Sequence, residues 1–261
     1  VRREIRVAAP PRAVWDAWAE PEEIARWFVD RAAGSMRDGG VVTWCFDAFG
    51  LQLPVEVFAA VPGEYLAFGG EVPGRPPALQ EVILEHRGGE TLVRVVNSGF
   101  GEGAQWDEEY EGVDSGWEMA LATLKHQLER YPGRSRRHLL AIRPTALEFA
   151  ALQPRLATAA GLRRWLARDA RLSSEPLALG TRVELDLGEA GPLRGEVLAR
   201  TRREVLLFWP ERSAVLGLKC FTMGPAGRQV ALDWSGWSDG GALAALQSSL
   251  DAAASRLAGP D

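Results

Sequence analysis

The feature that most constrains this chain is that it repeats itself. Shifted by 140 residues, Leu53–Gly70 (LPVEVFAAVPGEYLAFGG) lies over Leu193–Pro210 (LRGEVLARTRREVLLFWP) without a gap. Seven of the 18 positions are identical, where chance gives about one. Two further anchors keep nearly the same offset. ARWF around Trp27 matches RRWL around Trp165, and Ser98-Gly99-Phe100 matches Ser235-Gly236-Trp237. Three blocks in one order at one spacing call for one unit written twice, with domains expected over residues 1–133 and 137–258 and a short linker, PGRSRR, between them.

Periodicity gives the order of elements within a copy. Arg3–Val7 reads as a strand, stopped by Pro10-Pro11, where proline opens a helix carrying Val14, Trp15 and Trp18 at helical spacing. A second short helix is expected over Pro21–Phe28. After Gly39-Gly40 the period changes to two: Val42, Trp44 and Phe46 share a face, as do Val82 with Leu84, and Val93, Val95 and Asn97. Gly63 and Gly88-Gly89 mark hairpin turns. A long helix, expected over roughly Ser115–Tyr131, sets Trp117, Leu121, Leu124 and Leu128 in one stripe and stops at Pro132-Gly133.

The second copy repeats the pattern with Leu152 and Leu156, Trp165, the alternating Val183, Leu185 and Leu187, and a last helix bearing Leu243, Leu246, Leu250 and Leu257. It lacks the PPxxVW opening and has lost a segment before its last helix, since Gly99 to Gly116 spans more chain than Gly236 to Gly241. Short antiparallel strands closed by one amphipathic helix argue an α+β fold in which the helix packs across a curved sheet.

Charge separates the copies. Residues 1–133 hold 12 Lys+Arg and 22 Asp+Glu, whereas residues 134–261 hold 18 and 13. The arginines of the basic half are scattered and not gathered into a stripe interleaved with aromatics, so nucleic-acid binding is not expected, and opposite charge suits docking of one half on the other. No apolar run approaches a membrane span, and VRREIRVAAP lacks the apolar core of a signal peptide, so a cytoplasmic protein is expected. Cys45 and Cys220 fall in apolar strand-like runs of different copies and read as buried thiols.

Catalytic chemistry has little to stand on. His86, His126 and His138 show no metal-ligand spacing, and neither a metal nor a cofactor is expected. There is no GxSxG elbow, phosphate loop or GxGxxG fingerprint, and Gly99–Gly103 reads as a flexible loop. The run Glu102–Glu118 contains Glu102, Asp107, Glu108, Glu109, Glu111, Asp114 and Glu118, with Trp106 and Tyr110 between them. It suits a solvated rim near a helix N-terminus, a lid anchored by Trp106, or an acidic face for a protein partner.

APPRAVWDAWAEPEEIARWF at residues 9–28, Gly39-Gly40, the Val57–Phe68 hairpin, Gly89-Glu90-Thr91, Ser98-Gly99-Phe100 and Gly116-Trp117 resemble, in this order, the START-like SRPBCC superfamily. The nearest branch is the one related to the activator of the heat-shock protein 90 ATPase, which associates the chain with the stress response. The resemblance covers residues 3–131, and the second copy follows it in diverged form. It implies two tandem helix-grip domains, each a curved antiparallel sheet wrapped around a long C-terminal helix, with a cavity between them used for apolar small molecules. Fold alone does not choose among the superfamily's carriers, cyclases and co-chaperones.

The candidate ligand-binding residues of the first copy are Trp44, Phe46, Phe68, Leu84, Val95 and Asn97 on the sheet, with Val57 beside them, Trp106 on the lid, and Trp117, Leu121 and Leu124 on the helix. The same aromatics also suit a filled core. Trp234 stands where the first copy has Asn97, so the second copy is expected to be plugged and to serve as a docking and stabilising module. The expected function is non-enzymatic binding of a small hydrophobic or amphipathic molecule by the N-terminal domain. The alternatives are a co-chaperone-like module working through the acidic face, and a cyclase- or hydrolase-like enzyme using Asp47, His86 and Asn97.

Overall fold

Proline and glycine punctuate the chain where the sequence places them. Pro10 is extended, Pro11 occupies the first helical position, and the helix it starts turns Val14, Trp15, Ala17 and Trp18 inward. The computed structural model describes residues 1–70, 78–223, 226–238 and 243–259. Gly241, used above to measure the segment lost from the second copy, lies outside the described residues. The chain divides into two units, Val1–Arg136 and Arg137–Asp261.

In the first unit, β1 (Arg2–Val7) is followed by α1 (Pro11–Ala19), α2 (Pro21–Ile24), β2 (Arg31–Gly34), β3 (Val41–Phe46), β4 (Leu51–Val61), β5 (Tyr65–Gly70), β6 (Ala78–Arg87), β7 (Glu90–Ser98) and α3 (Ala104–Arg130). The seven strands form one antiparallel sheet in the order β1-β7-β6-β5-β4-β3-β2. The second unit repeats this with β8 (Arg137–Pro144), α4 (Phe149–Ala157), α5 (Ala159–Trp165), β9 (Asp169–Leu172), β10 (Arg182–Asp186), β11 (Pro192–Arg200), β12 (Glu204–Trp209), β13 (Ala214–Thr222), β14 (Arg228–Gly236) and α6 (Leu243–Ala258). Its sheet order, β8-β14-β13-β12-β11-β10-β9, is the same circuit.

The likeness extends to irregularities. The β4–β5 ladder slips register between Val57 and Ala59, and the β11–β12 ladder slips between Val197 and Ala199, 140 positions on in both cases. Trp27 donates its indole N–H to the Ala17 carbonyl at 2.8 Å, and Trp165 donates to that of Arg155 at 2.9 Å. Both bonds are buried and pin the chain leaving the second helix against the first helix.

In each unit the last helix shares its core with the sheet. Trp117, Leu121 and Leu124 of α3 pack with Trp44, Val57, Phe68, Val82, Leu84 and Val95. Leu246, Leu250, Ala253 and Leu257 of α6 pack with Val183, Leu207, Leu216 and Trp234. Cys45 and Cys220 are buried free thiols.

The last helix of the first unit departs from expectation. It begins at Ala104 and not near Ser115, so the acid-rich run is helical from Ala104 on and Trp106 lies in its first turn. Gly112 and Gly116 argue against helix in the sequence, each costing about 1 kcal/mol relative to alanine. A tertiary clamp offsets them: Arg3 of β1 donates from Nε to Asp114 at 2.6 Å and from a terminal nitrogen to Glu118 at 2.8 Å, holding carboxylates one turn apart. Asp107 sits in the first turn, where the helix dipole favours an anion. The second short helix also stops early, at Ile24.

Candidate functional site

The inner face of the first sheet is a field of rings. Phe28 stacks on Trp117 with centroids 5.6 Å apart and planes 13° from parallel, and meets Trp44 edge-on at 5.4 Å. Trp18 lies against Trp27 at 4.8 Å and Trp117 at 5.7 Å, while Trp44 meets Phe68 at 5.2 Å. Trp44, Phe68, Leu84, Val95, Trp117, Leu121 and Leu124 are all buried here, with Phe46 partly buried against them. The structure therefore gathers seven of the candidate residues into one core with Phe46 at its margin. Trp106 stands apart in the first turn of α3, edge-on to Phe100 at 6.4 Å, and a Cβ on Gly101 would collide with its indole nitrogen.

A polar line crosses this apolar face. Phe68 is paired with Gln80 across β5–β6, and Gln80 with Asn97 across β6–β7. The side-chain oxygens of Gln80 and Asn97 are buried and have no hydrogen-bond partner among the described residues, and the same holds for the indole nitrogen of Trp44, which touches Phe68. A buried polar atom without a partner costs about 1–3 kcal/mol, so two side by side on the sheet, with a third on a ring that touches Phe68, ask for an explanation. Gln80 was not among the sequence candidates. Carrying the alternation of Val82 and Leu84 back by two residues finds it.

The second unit treats the same place differently. Leu216 pairs with Trp234 at the register of Gln80 and Asn97, and both are buried. Trp234 thus fills the inner face where Asn97 stands. Two open clefts nevertheless mark this unit. One of about 410 Å³ runs past Trp209, Trp234, Arg212 and Leu243, and another of about 450 Å³ lies between α5, the turn after β10 and α6.

Asp47, His86 and Asn97 do not come together. Asp47 is exposed and accepts from Arg31 at 2.6 Å, a hydrogen bond that holds its carboxyl below the usual range. His86 is exposed beside the β6–β7 turn and pairs with Thr91. Six residues along β6 separate it from Gln80, the partner of Asn97, a distance of about 20 Å. His126 is buried in α3, where burial and then the charge of Arg130 push it down to about 4. His138 meets Asp233 at 3.1 Å, and Lys219 donates to the same carboxylate at 2.6 Å. Burial alone would raise Asp233, but the charges and hydrogen bonds of Lys219 and His138 outweigh it and hold the group well below its ordinary value. Among the described residues there is no cluster of three or more metal-ligating side chains and no helix long and apolar enough to cross a membrane.

A seven-stranded antiparallel sheet closed over a C-terminal helix, written twice, defines a tandem helix-grip protein of class α+β. The family model described as Activator of Hsp90 ATPase homolog 1-like protein matches residues 8–129, which lie wholly within the first unit. This match sets the first domain with that branch of the START-like SRPBCC superfamily, and the second domain repeats the same sheet order. No curated protein matches it. Among solved structures, the di-domain ARO/CYC BexL from the BE-7585A biosynthetic pathway is 15% identical over 98% of this chain and 96% of its own, with a TM-score of 0.46. DynU16, from the dynemicin biosynthetic locus, is 19% identical over 99% and 95%, with a TM-score of 0.45. The Aha1 dimer from Colwellia psychrerythraea is 20% identical over 51% of this chain and 98% of its own, with a TM-score of 0.45. At these identities and scores no functional argument passes from those proteins to this one.

Proposed function

We propose that the first domain binds a small amphipathic molecule on the inner face of its sheet, without catalysis. The observation that carries this reading is the pair of neighbouring carboxamides, Gln80 and Asn97, whose buried oxygens lack partners in an otherwise apolar and aromatic surround. Such a site suits an apolar body, taken up among Trp44, Phe68 and Trp117, with one hydroxyl or amide presented to the two side chains. Each carboxamide offers both a donor and an acceptor, so the pair recognises a neutral polar group in preference to a charge.

Native mass spectrometry of the full chain, purified without detergent, tests the reading. A compound that co-purifies with the wild type and is lost from Gln80→Leu supports it. An unliganded protein that also fails to take up a panel of neutral aromatic alcohols refutes it.

A protein-binding role has one observation in its favour. Asp107 and Glu108, with Tyr110, are exposed on the first turns of α3, although Arg3 engages Asp114 and Glu118 from the same acidic run. Salt-sensitive association with a heat-shock protein 90 chaperone, weakened by Asp107→Asn, is the result this role requires.

A further inference from the structure

The cleft of about 450 Å³ in the second unit has an unusual balance of charge. Its floor is apolar, made by Trp165, Trp209, Leu250 and Ala253, each no more than 4% exposed. Its rim carries Arg163, Arg164, Arg168 and Arg256 against one carboxylate, Glu189.

Two of these arginines are held by backbone carbonyls, and a third has space beside a glycine. Arg256 donates from Nε to the Trp165 carbonyl at 2.7 Å, bringing the α6 guanidinium to the end of α5. Arg163 donates to the Ala170 carbonyl at 2.9 Å. The guanidinium of Arg168 lies 3.1–3.3 Å from where a Cβ on Gly188 would stand, so the missing side chain in that turn, at φ +64°, gives it room. Arg163, Arg168 and Arg256 form no ion pair among the described residues. Guanidinium groups that line one cleft at the edge of an apolar surface, without ion pairs of their own, suit a planar anion, which they grip through paired N–H donors.

The duplication shows how the corner diverged. The backbone of Asp30 donates to Cys45, and that of Arg168 to Asp186, so the two residues hold equivalent places after their short helices. In the first unit the place is an acid, and the residue two before it, Phe28, stacks on Trp117. In the second unit the acid is Arg168 and the ring is Leu166, which lines the cleft. The charge has reversed and a ring has gone.

We infer that this cleft binds a small apolar molecule bearing a carboxylate, with the apolar body on Trp165, Trp209 and Leu250 and the carboxylate between Arg168 and Arg256. The site is separate from the carboxamide line of the first domain and differs from it in taking an anion.

Isothermal titration of the full chain with naphthalene-1-carboxylate and its neutral isostere naphthalene-1-carboxamide, at low ionic strength, tests the inference. The expected result is at least tenfold tighter binding of the carboxylate, weakened by added salt. Arg168→Gln should lose most of that preference, and Arg168→Gln with Arg256→Gln should abolish it. Arg168 is exposed, so the single variant keeps the question answerable should the double variant fail to fold. Equal affinity for the two probes, no binding of the carboxylate at millimolar concentration, or a preference untouched by Arg168→Gln would each overturn the inference. No residue of the first domain is altered, so failure here leaves the carboxamide reading standing, and failure of that reading leaves this one.

Discussion

Replacing Gln80 by leucine should make the first domain more stable and cost it its ligand. Leu216 stands at the same register in the second sheet, paired with Trp234 as Gln80 is with Asn97, so the fold already tolerates an apolar residue at this place. The Gln80 carboxamide oxygen is buried without a partner, a defect of about 1–3 kcal/mol. Leucine removes it and adds apolar surface beside Phe68 and Val82. Against this stands some loss of fit from branching, so a net gain of about 1–2 kcal/mol is expected. For a domain of this size that raises its melting temperature by about 4–8 °C. Hydrogen exchange in peptides covering β6 and β7 is the suitable assay, because it isolates this sheet from the second domain's unfolding. Protection should rise about five- to thirtyfold over wild type stripped of its ligand, while the co-purifying ligand disappears from native mass spectra. A fall in protection would refute the reasoning, since it would mean that the carboxamide is paired in the folded protein and that its burial is structural.

Two further outcomes follow from the buried groups. Trp27→Phe and Trp165→Phe each delete an indole N–H and strand a buried carbonyl, on Ala17 and Arg155 respectively; each should destabilise its own domain by about 1–3 kcal/mol, read by chemical denaturation. His126 should titrate near 4 by NMR, against about 6.5 in the unfolded chain. Its folded pKa is the lower of the two, so the unfolded state takes up the proton first, and roughly 2–3 kcal/mol present above pH 6.5 drains away as pH falls towards 4. His126→Gln should flatten that slope.

How far the sequence could be read depended on whether a signal was local. The repeat was legible because strand alternation, turn glycines and the Trp27 and Trp165 anchors are written in short runs, and the 18-residue match falls on the β4–β5 and β11–β12 hairpins, although the pairing sets Leu207, and not Phe208, in the place of Phe68. The start of α3 was not legible. Its two glycines and six acids spell a loop until Arg3, 111 residues away from Asp114, is brought alongside. Asn97 was visible on an apolar face, but its neighbour Gln80 gains meaning only once β6 and β7 are in register. The arginine cleft was least legible. Arg168 and Arg256 sit in a half whose basic residues look scattered, and only the crossing of α6 over the end of α5 gathers them. The proposed trio of Asp47, His86 and Asn97 failed for the converse reason: residues near strand ends can lie at opposite ends of a sheet.

The slip of register in β4 and again in β11 sets a reading frame for everything after it. Val55 and Val57 face the first core, yet the next β4 residue against that core is Ala60, so the inward parity changes from odd to even at the extra residue. Deleting Phe58, or Leu198 in the second copy, would restore a regular ladder and send the remainder of the strand to the wrong face. A side chain beside the slip can change freely, but the number of residues there cannot. Whatever each copy came to do, both had to keep count.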